Sequence, residues 1–280
     1  GEGTWGNIEE LPGDVHLDVN YLGGDSDGSR EKPWTIYGYA IGQVQPGGRV
    51  VFAAGDYDQG ILVSKSISLV GRCSSMVTLS AAREGAAGPT VVEVKGDVEV
   101  NISDLTVSGP GYGIVVLSGA QTSITRSIIK ENQAAGVVVA GETTHLDVVD
   151  LWISDTHPNQ AGVNGFGLIA QGGSSVTLTR ARLSANTTSG LLVVDPGTSV
   201  DASEVWVSST KKDGQGAYGL GMEVTSGASV SVNRSLLSDN FSAGAVVMDS
   251  GTTFIASELS VVDTKMGSAG SQAYDGLVFG

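Results

Sequence analysis

Apolar and polar residues alternate with a period of two through most of the chain. Ile114 and Val116, Leu168 and Ala170, Leu191 and Val193, and Met222 and Val224 are such pairs. Val176 and Leu178, Ala181 and Leu183, and Val230, Val232 and Leu237 repeat the pattern, as do Leu146, Val148, Leu151 and Ile153. Period two marks strands with one buried face. Helix-period stripes are absent. The strands also recur. A glycine opens each apolar run, at Gly113, Gly136, Gly167, Gly190, Gly221, Gly244 and Gly276. The spacings alternate between 23 and 31 or 32 residues, so units pair into super-repeats of 54, 54 and 55 residues at 113–166, 167–220 and 221–275. A unit of three short strands repeated in tandem is one coil of a parallel β-helix. A two-sheet sandwich would not hold so strict a period. The expected fold is all-β: a single solenoid over 50–280, with residues 1–49 as an N-terminal cap and lead-in strand.

Equivalent positions in such a solenoid stack about 4.8 Å apart, so columns can be read down it. One column runs Asp104, Arg126, Asp150, Arg180, Glu204, Arg234, Glu258, with strictly alternating sign. Opposite charges on neighbouring strands attract, and a one-coil slip would set like against like. A second column, at the bend after the third strand, reads Asn132, Thr156, Asn186, Thr210, Asn240, Thr264. Asn and Thr side chains satisfy backbone groups freed at a turn. A third reads Thr106, Ile128, Trp152, Arg182, Trp206, Leu236, Ser260. Two readings of it stand: Arg–Trp packing by cation–π contact, or an aromatic platform for sugar rings.

The long units insert ten or eleven residues after the bend, at His157–Phe166, Lys211–Leu220 and Lys265–Asp275. Such insertions project from one edge, which is often the binding face of a solenoid. His157, Lys211 and Tyr218 join Trp152, Arg182 and Trp206 as candidate carbohydrate-binding residues. Residues 1–49 lack the repeat. His16–Leu22 reads as a strand, Gly23–Arg30 as an acidic turn, and Thr35–Val44 as a short amphipathic helix after Pro33 that covers the open end. Val50–Ala53, Ile61–Val70 and Met76–Leu79 are expected to form the first coils, and Arg83–Pro89 a loop. The chain stops at Gly280, just inside a new strand, which reads as the edge of a longer protein or an end covered by another subunit.

Composition narrows the partners. There are 30 acidic and 15 basic residues, a formal charge of −15. That argues against nucleic acid and anionic membrane surfaces, and disfavours a polyanion unless basic residues cluster locally. No apolar run is long enough to insert in a membrane. The single Cys73 excludes an internal disulfide framework and a Cys-based zinc site, and it has no activating neighbour in sequence. Asp25 and Asp27, in a Gly/Ser turn, are weak candidate oxygens for Ca²⁺; no other cofactor is implied. No nucleophile triad or phosphate loop is present.

Three segments carry a family resemblance. Asp25–Trp34 resembles the "DGS…KPF" opening of many secreted parallel β-helix proteins. Gln45–Tyr57 is similar to their glycine-flanked "pGd.v.v..G.Y" segment, and Val63–Gly71 to their "i.ksitl.G" segment. The chain thus resembles the pectin-lyase-like superfamily, which implies a right-handed solenoid, as does the crossover preference. That superfamily includes polysaccharide lyases and many large bacterial surface proteins. Its enzymes use acidic clusters, often with Ca²⁺ and a Lys or Arg base, or paired carboxylates, usually on the outer face of the first strand of each coil. Here that face reads Glu93, Val115, Val138, Ile169, Leu192, Glu223, Val246, Val278. It is nearly all aliphatic, its two acids stand five coils apart, and it has no Lys or Arg column. Two readings of the stripe stand, ordinary strand composition or a contact surface.

The expected role is a non-enzymatic extracellular or cell-surface bacterial domain, structural, adhesive or glycan-binding. The alternative is a polysaccharide lyase or other carbohydrate-active enzyme. Partners would be a polysaccharide or protein surface, or a second copy through the C-terminal end or the apolar stripe.

Overall fold

The computed structural model describes residues 3–264 and 276–280. The expected loop Lys265–Asp275 lies outside them. Among the described residues, strands pair in parallel into a ten-stranded and a fourteen-stranded sheet, with one antiparallel pairing. Each coil passes from the smaller sheet through a turn into a long strand of the larger one. That strand bends midway, giving the coil three sides. Gln121–Lys130, His145–Ser154, Ser175–Ser184 and Ser229–Ser238 are such bent strands, stacked in register.

The bends explain the charge column. Asp104, Arg126, Asp150, Arg180, Glu204, Arg234 and Glu258 stand at the corners, with φ between 44° and 59°. That left-handed conformation is disfavoured for residues carrying a Cβ. It persists because both flanking arms are anchored inward. Ile124, Val148, Leu178, Ala202 and Val232 lie in register on one arm, and Ile129, Ile153, Leu183, Val207 and Leu237 on the other, all buried. The charges pair as dyads rather than as an even chain. Arg126 forks onto Asp104 at 2.7 and 2.6 Å, Arg180 onto Asp150 at 2.6 and 3.0 Å, and Arg234 meets Glu204 at 3.0 Å. The neighbouring guanidinium lowers the Asp150 carboxyl below its usual range, mainly through the hydrogen bond. Arg180→Glu sets three acids in a row. It is expected to lower Tm in low-salt buffer, with the loss shrinking at molar salt. A parental Tm in both buffers would show that the dyads do not contribute to stability.

A second set of corners, Glu131, Asp155, Ala185, Ser209, Asp239 and Asp263, has φ of 52–56°. It turns the next residue inward, so Asn132, Thr156, Asn186, Thr210 and Asn240 are buried inside the coil. Thr156 N donates to Asn186 Oδ1 at 3.1 Å, and Thr210 N to Asn240 Oδ1 at 3.2 Å. Asn186 Nδ2 donates to the Ile153 carbonyl and Asn240 Nδ2 to that of Val207. These amides satisfy backbone groups that the turn withdraws from the sheets.

The glycines that mark the repeat lie beside this column. A Cβ on Gly113, Gly167 or Gly221 would stand 2.3–2.4 Å from the carbonyl oxygen of the next glycine and 2.8 Å from the Asn side chain. Lack of space, not φ, requires glycine there.

The N-terminal part differs in detail from expectation. The strand there is only Val15–Leu17, because Asp18 and Asn20 turn the chain away. The helix is Tyr37–Gln43. It buries Tyr37 and Ala40, and its last carbonyls accept from Lys65 Nζ at 2.9 Å. Ile61–Val70 is two strands, Ile61–Val63 and Ile67–Gly71, one in each sheet. Arg83–Pro89 is not a loop. Arg83–Gly85 pairs antiparallel with the start of Gly88–Lys95, and Glu93 fixes this hairpin. Glu93 accepts from Arg83 Nη1 at 2.7 Å and pairs with Lys95 Nζ at 3.5 Å.

Candidate functional site

The third strand face carries the Trp–Arg column in register: Ile128, Trp152, Arg182, Trp206, Leu236. Corner and bend fix each strand arm, so the three large side chains point outward one coil apart. Trp152 and Trp206 are 41% and 40% exposed. The Arg182 guanidinium carbon lies 5.4 Å from the Trp152 ring centre and 4.4 Å from that of Trp206. Each indole is held by its Nε1, which donates at 2.8 Å to Ser184 Oγ or Ser238 Oγ. The ring faces therefore look along the solenoid toward Arg182. Their far-side register partners are Ile128 and Leu236. Arg182 lies between the two rings, so their facing surfaces cannot stack on a sugar.

Arg182 is flanked by rings and not by a carboxylate. Arg49, Arg83, Arg126, Arg180 and Arg234 each pair with a carboxylate. Among the described residues Arg182 has no carboxylate partner and no side-chain hydrogen bond; its contacts are the two rings. Three lysines stand on the same side. Lys130 lies 3.7 Å from Glu131, Lys211 lies 3.4 Å from Asp155, and Lys212 sits 5.4 Å from the Phe241 ring centre. A depression of about 390 Å³ lies at Lys211, Lys212 and Phe241, and one of about 360 Å³ beside Trp152 and Lys130.

Of the loop candidates, only Lys211 is tied to this face. His157 and Tyr218 are exposed, and their side chains make no hydrogen bond, ion pair or ring contact among the described residues. The two described loops touch each other, Gly214 N donating to the Gly162 carbonyl at 3.1 Å. The second is braced by buried Asp213, whose Oδ1 accepts from Gln215 N and Ala217 N. Asp25 and Asp27 do not converge on a shared point. Asp25 takes Lys32 Nζ at 2.6 Å and Tyr21 OH at 2.9 Å, and Asp27 takes Ser29 N. No group of three His, Cys, Asp or Glu among the described residues is placed to hold a metal ion.

The aliphatic stripe on the smaller sheet is less exposed than the sequence suggested. Val115, Val138 and Val246 are buried, and Ile169, Leu192 and Val278 are half-buried. Val115 and Val138 pack in an outer cluster with Tyr112, Leu117 and Phe166, so flanking side chains cover them. Glu93 is fully buried under the hairpin. Glu223 stands between Leu192 and Val246, where burial raises its pKa. The two acids are five strands apart, about 24 Å, beyond the span of a carboxylate pair.

Sequence reasoning missed one feature. A cleft of about 550 Å³ lies between the Arg83–Lys95 hairpin and the first long loop. Its existence depends on the hairpin, which the Gly/Ala-rich sequence there does not announce.

Residues 90–259 match the family described as "Right handed beta helix region". No curated protein matches the chain in sequence. Among solved structures, the pectate lyase Pel9A aligns with TM-score 0.69 and 14% identity, covering 92% of this chain and 81% of that one. A pectin methylesterase from carrot aligns at 0.52 and 11%, covering 95% and 87%. A mutant pectin methylesterase in complex with a hexasaccharide aligns at 0.51 and 9%, covering 94% and 92%. Identities this low show a shared fold and no more.

Proposed function

This chain belongs to the right-handed β-helix family, and on that premise we propose that it is a non-catalytic saccharide-binding module of a bacterial extracellular or cell-surface protein. The observation that carries the reading is Arg182, clamped between two indoles with no carboxylate partner among the described residues. A guanidinium has five N–H donors in one plane. No carboxylate among the described residues takes these donors, so they remain for a ligand. The rings hold the fork in place before binding, so little side-chain entropy is lost on contact. The matching group is a planar carboxylate, which on a glycan is a uronic acid. Lys212, which has no carboxylate partner among the described residues, adds a second cation on this side, while Lys130 and Lys211 stand beside Glu131 and Asp155. The pairs at Lys130 and Lys211 are exposed and hold weakly.

The test is affinity electrophoresis through gels of polygalacturonate, alginate and glucuronoxylan, each native and with carboxyls reduced to alcohols. Retardation by at least one native polymer is expected, and carboxyl reduction should abolish it. Arg182→Ala should weaken binding about tenfold or more, and Arg182→Lys should not restore it, because a point charge lacks the fork. Unchanged binding by Arg182→Ala, or no retardation by any acidic polymer, would overturn the reading. A cleared zone in the gel would establish an enzyme instead.

A further inference from the structure

We infer that the cleft between the Arg83–Lys95 hairpin and the first long loop is a second binding site, for an uncharged pyranose residue. The cleft holds about 550 Å³, within the range of small-ligand sites. Its walls include Pro89, Tyr112, Gln133, Ala134, Gln160 and Ala161, and no charged side chain lines it. A charged ligand would find no counter-charge there.

Three of the four polar side chains that line it are unused. The side chains of Tyr112, Gln133 and Gln160 make no hydrogen bond or ion pair among the described residues. An amide both donates and accepts, as a sugar hydroxyl does. Between these groups, Pro89, Ala134 and Ala161 offer small apolar surfaces. A pyranose has the same division, with C–H groups on its faces and hydroxyls around its rim. A flat apolar ligand would leave the amides unmatched, and an ion would be desolvated without compensation.

The walls are built before any ligand arrives. The hairpin is pinned by Arg83 and Lys95 on Glu93. The loop is braced by Asn159, whose Oδ1 accepts from Ala161 N at 3.0 Å and Val163 N at 3.3 Å. At its base His157 N donates to the Asn132 carbonyl, and Ala134 N to that of His157. These bonds leave the side chains of Tyr112, Gln133 and Gln160 free.

The site is independent of Arg182, and its test is arranged to show that. Saturation-transfer NMR and calorimetry would be run with four neutral tetrasaccharides: cellotetraose, mannotetraose, xylotetraose and galactotetraose. At least one should bind with millimolar affinity or better, unchanged by Arg182→Ala. The exposed pair Gln133→Ala/Gln160→Ala should weaken it about tenfold at unchanged Tm. Tyr112→Phe, which keeps the ring in its packed cluster, should give a smaller loss. No binding by any of the four, or binding indifferent to the double variant, would overturn the inference. Binding that Arg182→Ala abolishes would assign the neutral sugar to the other face and overturn it too.

Discussion

Gly167→Val is expected to lower the unfolding free energy by about 3 kcal/mol or more. A Cβ at this position would stand 2.4 Å from the Gly190 carbonyl oxygen and 2.8 Å from Asn186 Nδ2. Neither neighbour is free to move. Gly190 leads into a strand whose Leu191 is paired with Leu168, and Asn186 is buried and hydrogen-bonded on both sides of its amide. Relief would require opening two coils at once. Urea denaturation followed by far-UV circular dichroism measures the loss. Gly38→Ala is the control. Gly38 lies in the short helix, exposed, with nothing within 4 Å of an added Cβ and no positive φ. It should be neutral or slightly stabilising. Equal effects of the two substitutions would mean that the glycine column does not mark a close backbone approach.

Asn186→Ala is expected to cost about 3 kcal/mol. The variant leaves the Thr156 N–H and the Ile153 carbonyl without their side-chain partners inside the solenoid. Water cannot easily replace them, since Asn186 and Thr156 are 0% and 1% exposed. Asn186→Thr should recover part of the loss, because threonine already holds this place in alternate coils, at Thr156 and Thr210. A loss within about 0.5 kcal/mol for Asn186→Ala, in the range of an unremarkable surface change, would show that the amide column is incidental.

Both expectations rest on features visible as spacing before any coordinates. Gly113 through Gly244 and the Asn/Thr column recur with the coil, and their chemistry fits few roles. The alternating charges at Asp104 to Glu258 were visible in the same way. Their conformation was not. Arginine is a poor sequence marker for a left-handed corner, and only the closing of the coil places Arg126, Arg180 and Arg234 there. The dyad pairing also waited on geometry, because register alone sets each arginine equally between two acids.

The candidate sites were legible to different degrees. Trp152, Arg182 and Trp206 could be placed in one column from the repeat. Which surfaces of them remain open depends on ring orientation, set by the bonds to Ser184 and Ser238. The period-two pattern turns the aliphatic stripe outward, yet Val115 and Val138 are buried by a cluster that includes Phe166, which opens the strand after the first long loop. The hairpin at Arg83–Lys95 breaks the parallel pairing of the other described strands, and no period reveals it.

The sequence by itself determined the solenoid, its coil length, its columns and the edge from which loops leave. Periodicity suffices for this because each coil meets only its neighbours, so the contacts follow from the repeat. The tertiary structure alone decided what the surface can bind. The Arg182 guanidinium, without a carboxylate partner among the described residues, and the uncharged cleft beside Tyr112 both arise where aperiodic segments or side-chain orientations meet the repeating scaffold. Such meetings depend on packing in three dimensions, which spacing along the chain does not encode.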